Sequence, residues 1–85
     1  MAFRVLAVDR FAAELYDSPG ELRGYVGAVV AVLRVDPTTS SLAFSVVAEG
    51  KDEYTAVFAG GRGFLRYWVP AGSHVVVLLR LVWAG

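Results

Sequence analysis

The sequence predicts an all-β fold, a small five-stranded barrel with at most a short helix. Three observations lead there. The chain has 85 residues, 56% of them hydrophobic; its valine-rich runs are separated by turn residues at short intervals; and several of those runs alternate apolar with polar side chains. A chain this short holds one core, so it reads as a single domain, with residues 1–23 as an N-terminal extension or extra strand and residues 24–85 as the barrel. Closure removes the strand edges that so apolar a chain would otherwise leave exposed.

Each element has its own justification. Met1 to Val8 sets Phe3, Val5 and Ala7 against Arg4, Leu6 and Val8, and fits a strand. Asp9 to Tyr16, with Ala12, Ala13, Glu14 and Leu15, fits one or two helical turns, and Asp17-Ser18-Pro19-Gly20 closes them with a turn. Gly24 to Val35 is dominated by valine and apolar on both parities, so it is expected to be the first barrel strand, central or strongly curved. Gly27 inside it should mark a bulge or sharp bend.

Beyond the Asp36-Pro37 turn, Ser41 to Glu49 alternates Leu42, Phe44, Val46 and Ala48 against Ala43, Ser45, Val47 and Glu49. A hairpin at Gly50-Lys51-Asp52 leads into a third strand, Tyr54 to Ala59. Gly60-Gly61-Arg62-Gly63 opens a segment ending at Val69. It reads either as a flexible loop, with Tyr67 as the exposed ring, or as a capping helix that plugs the barrel with Leu65 and Trp68. His74 to Trp83 is the last strand. The expected core is Leu42, Phe44, Val46, Val75, Val77, Leu79 and Leu81.

Composition excludes several classes. Eight basic residues balance eight acidic ones, so bulk charge does not draw the chain to nucleic acid, although a local basic patch could. There is no cysteine, which removes disulfides and thiolate zinc sites. The single histidine, His74, has no ligand pattern around it, and no nucleophile motif accompanies it. The chain is therefore expected to carry no metal, cofactor or catalytic residue and not to be an enzyme. The longest uncharged apolar run, Tyr25 to Leu33, is far short of the roughly 20 residues a bilayer span needs, so a cytoplasmic protein without a membrane partner is expected.

One pattern spans Gly24 to Trp83. Val26-Gly27-Ala28-Val29 reads as a first strand, Leu42 to Val47 and Tyr54 to Phe58 as a hairpin, and Gly72-Ser73-His74-Val75-Val76-Val77 as a glycine-led later strand. This arrangement resembles the oligonucleotide/oligosaccharide-binding (OB) domains of replication protein A-like single-stranded-DNA-binding proteins. It departs from them in leaving little room for a helix before the fourth strand. The fifth strand must come from a bend in the last run or from Met1 to Val8.

The resemblance implies a small nucleic-acid-binding protein, a subunit of a single-strand-binding or replication/repair assembly. Arg34, Lys51, Arg62 and Arg66 would capture phosphates, and Tyr54, Phe64 and Tyr67 would offer rings for base stacking. The alternative is a structural subunit that buries its apolar excess against a protein partner or a second copy.

Overall fold

Two helices pack on one face of a five-stranded mixed sheet, in a computed structural model that describes residues 2–85. The elements are β1 (Arg4–Ala7), α1 (Asp9–Tyr16), α2 (Gly20–Leu33), β2 (Phe44–Gly50), β3 (Glu53–Phe58), a 3-10 turn at Ala59–Gly61, β4 (Gly63–Trp68) and β5 (Val75–Trp83). In space the strands run β1-β5-β4-β3-β2. Only β1 with β5 is parallel; the other pairs are antiparallel. The fold is α+β, and the sheet is open. The all-β barrel expected from sequence is overturned.

The largest correction is α2. Gly24 to Val35, read as the first barrel strand, lies almost wholly within a 14-residue helix that enters through Pro19 and carries Glu21 in its first turn. Leu22, Val26, Val29 and Leu33 are its buried residues, spaced four, three and four apart as one helix face requires. Valine's preference for strands is a difference of tenths of a kcal/mol per residue. Burying four large side chains against the sheet outweighs it. Gly27 marks no bulge: it is an exposed helix residue, and a Cβ there would meet nothing within 4 Å.

The second correction is Gly63 to Trp68. It is neither loop nor capping helix but β4, hydrogen-bonded to β3 on one side and β5 on the other. Its burial alternates residue by residue: Gly63, Leu65 and Tyr67 lie beneath the helices, while Phe64, Arg66 and Trp68 face solvent. The expected roles of Tyr67 and Trp68 are thereby exchanged. Tyr67 is 0% exposed and Trp68 42%.

Strand readings at β1, β3 and β5 agree with the structure, and α1 forms the short helix expected there; Met1 lies outside the described residues. β1 supplies the fifth strand. Of the expected core, Phe44 and Leu81 are buried, Leu42 is fully exposed ahead of β2, and Val75, Val77 and Leu79 are only partly covered. The register explains the last three. Arg66 pairs with Arg80 but Tyr67 pairs with Leu78, leaving Leu79 as an extra residue in β5. Such a bulge reverses inside and outside along the strand, so Val76 and Leu78 face the core before it and Leu81 after it.

Candidate functional site: the open sheet face

Because both helices lie on one side, the other face of the sheet is bare. β2 contributes Val47 and Glu49 to it, β3 Thr55 and Val57, β4 Phe64 and Arg66, and β5 Arg80 and Val82. These eight residues line a shallow depression of about 380 Å³. Phe64, Val47, Val82 and, further along, Trp68 and Leu6 leave much apolar area in water. The open face thus accounts for part of the apolar excess in the composition.

Arg66 and Arg80 are directly opposite each other on neighbouring strands, an arrangement that repulsion disfavours for like charges. Each is neutralised from its outer side. Arg66 donates to Glu53 Oε1 from Nη2 at 3.4 Å, and Glu53 stands two residues from Thr55 on the same side of β3. Arg80 donates from Nε to Glu14 Oε2 at 3.1 Å. Glu14 comes from α1, and its other oxygen accepts the Leu81 backbone N–H at 2.9 Å. The result is a row of four charges across the face, carboxylate, guanidinium, guanidinium, carboxylate. Arginine stays protonated and presents up to five donors in a fixed fork. The row can therefore bind anionic oxygens while Glu49 and Thr55 beside it accept hydrogen bonds from hydroxyl groups.

The residues expected from sequence to form one binding surface are dispersed. Phe64 and Arg66 are on the open face. Tyr54 and Tyr67 stack on each other on the helix side, where Tyr67 donates its hydroxyl to the Pro37 carbonyl. Burial raises the Tyr67 hydroxyl well above its ordinary pKa of 10.0, with smaller contributions from Tyr54 and Asp36. Arg34 is the exposed C-cap of α2, and Lys51 is exposed in the β2–β3 turn. Arg62 lies over the Trp83 ring, 5.1 Å from its centre, and 3.6 Å from Glu21 of α2; it fastens β4 to the helix layer. Arg80 was the residue sequence reasoning missed. In the last strand it stands on the parity opposite the expected core of Val75, Val77, Leu79 and Leu81, and so already points away from it; only the pairing of β4 with β5 sets it beside Arg66.

A second concavity, about 560 Å³, lies between the helices and is lined mainly by apolar atoms of Phe11, Leu15, Tyr16, Val26, Val30 and Leu78. Among the described residues no helix is long and apolar enough to cross a membrane, and no group of three or more His, Asp or Glu residues is placed to hold a metal ion.

No family model and no curated protein sequence matches the chain. Solved structures do match it. The isolated RelE toxin of E. coli superposes with a TM-score of 0.80 at 15% identity, covering 99% of this chain and 86% of that one. The intact E. coli RelBE toxin–antitoxin complex matches with a TM-score of 0.78 at 15% identity, covering 99% of each chain. The archaeal RelE–RelB complex from Pyrococcus horikoshii gives 0.74 at 17% identity over 100% of this chain and 98% of that one. These matches replace the OB resemblance, and with it the single-stranded-DNA-binding subunit that it implied. The fold of this chain is the α+β fold of RelE toxins.

Proposed function

We propose that this chain is the toxin of a toxin–antitoxin pair, held by a protein partner and acting on RNA through the open face of its sheet. The observation that carries the proposal is the end-to-end match to RelE toxins, two of them solved in complex with RelB. The open face supplies the chemistry. Two guanidiniums suit phosphate oxygens, Phe64 offers a ring to a base, and Glu49 and Thr55 accept from hydroxyl groups. A ribose phosphate carries anionic oxygens and hydroxyl donors together and so matches both sets. The apolar groove between α1 and α2 is the seat proposed for the protein partner.

On this reading the chain alone binds RNA without cutting it. The depression holds no histidine, arginine is too weak an acid to give up a proton, and Glu49, its one carboxylate, has no proton donor across from it for the leaving oxygen. Induced expression in bacteria should arrest growth, and Arg66→Ala/Arg80→Ala should relieve the arrest at equal soluble protein level. Soluble wild-type protein that accumulates without slowing growth would overturn the proposal. Cleavage of free RNA by the purified chain would overturn its non-catalytic part.

A further inference from the structure

We infer that Glu14 is a positioning residue for the open face: it holds Arg80 by its Nε so that the two terminal nitrogens project toward a ligand. The inference rests on the RNA reading for its ligand and on the geometry for its mechanism. Glu14 lies 66 residues from Arg80 in sequence and on a different element. It reaches the site because β1 pairs with β5 only as far as Leu78. Beyond that point the outer edge of β5 has no strand beside it, and α1 lies there instead.

The Glu14 carboxylate caps this free edge. One oxygen accepts the Leu81 N–H at 2.9 Å and the other the Arg80 Nε at 3.1 Å. The Leu81 backbone N–H anchors the carboxylate, and it is the more buried partner, 25% exposed against 40% for the arginine. Arg10, one turn earlier in α1, approaches the same oxygen at 4.0 Å. A guanidinium gripped at Nε keeps its Nη1 and Nη2 edge available, and that edge forms two parallel bonds to a phosphate. An unbraced Arg80 would have to be ordered at each binding event, which costs affinity.

A brace at Glu14 has an effect opposite in sign to simple charge counting. Removing a carboxylate beside an anion site should tighten binding if only net charge matters. Removing a brace should weaken it. The experiment measures fluorescence anisotropy of a labelled 12-nucleotide RNA with the full chain, as wild type, Glu14→Ala, Glu14→Gln, Arg80→Ala and Glu14→Ala/Arg80→Ala. Glu14→Ala is expected to weaken binding about threefold to tenfold, and the double variant to match Arg80→Ala, because coupled neighbours are non-additive. Glu14→Gln retains an acceptor for the Leu81 N–H, which protects the fold, and should fall between wild type and Glu14→Ala. Tighter or unchanged binding in folded Glu14→Ala or Glu14→Gln, while Arg80→Ala weakens it, would overturn the inference.

A second measurement needs no ligand: the order parameter of the Arg80 Nε–Hε pair by ¹⁵N NMR. It should show restricted motion in the wild type and free motion in Glu14→Ala. Restricted motion without any RNA binding would uphold the brace and sink the RNA reading. Free motion of Arg80 in the wild type would sink the brace by itself.

Discussion

Tyr67 lies beneath the middle of the sheet with its ring on Tyr54 and its hydroxyl on the Pro37 carbonyl, tying β4 to the loop that follows α2. Tyr67→Phe removes the donor and leaves a buried carbonyl unpaired, so it should cost about 1–2 kcal/mol in denaturant unfolding. The same residue sets an alkaline limit. Its folded pKa is raised above the ordinary 10.0, chiefly by desolvation, so an unfolded chain loses the proton first. Stability should be intact below about pH 10 and fall as pH rises beyond it. Melting temperatures measured from pH 9 to 11 should decline less in Tyr67→Phe than in wild type. At Gly63, opposite Phe58 in the ladder, a Cβ would come within 2.3 Å of the Phe58 ring. Gly63→Ala must displace that buried ring and should cost about 1–3 kcal/mol.

Among the elements, α2 is built from residues of mixed suitability. Gly24 and Gly27 lie on its exposed side, where an added Cβ meets nothing within 4 Å. Each interior glycine costs a helix about 0.5–1 kcal/mol relative to alanine. Gly24→Ala should therefore raise stability by about that amount, measurable as a higher denaturation midpoint with unchanged slope; a loss would mean that the helix assignment is wrong. The sheet manages its free edges with side chains. Glu14 caps β5, and on the far side Ser40 Oγ accepts the Val46 N–H of edge strand β2 at 2.8 Å. A register shift between Ala48 and Gly50 interrupts that same edge. These devices make an open sheet tolerable in an apolar chain. With its edges protected in this way, the sheet does not need the closure that composition suggests.

At the scale of the whole molecule the balance of eight cationic and eight anionic residues removes any general attraction to polyanions. Salt dependence of RNA binding must then come from the open face. Each phosphate neutralised on a single strand contributes about 0.7 to the slope of log affinity against log salt. Arg66→Ala/Arg80→Ala should accordingly flatten the slope by about 1.4. Equal replacement at Arg34 and Lys51, which stand away from the depression, should leave the slope unchanged. A slope that responds to Arg34 and Lys51 but not to Arg66 and Arg80 would place the anion site elsewhere.

Local chemistry by itself determines β3, β5, the β2–β3 turn and the short helix α1. Alternating side chains and turn residues act over a few positions and suffice to form these elements, although which face of β5 is buried is set by its pairing with β4 and the extra residue at Leu79. Residues 24–35 are decided only by tertiary packing. Their valines suit either a strand or a helix, and the buried face formed by Leu22, Val26, Val29 and Leu33 tips the balance once a sheet lies beneath it. The same holds for the site. Phe64 and Arg66 can be picked out from the sequence, but Arg80 cannot, because only the pairing of β4 with β5 sets it opposite Arg66 and makes it more than an isolated charge in an apolar run. Glu14 is legible in the sequence only as a surface charge. Its place beside Arg80 follows from where β1 stops and α1 begins, a fact of chain path that no local pattern encodes.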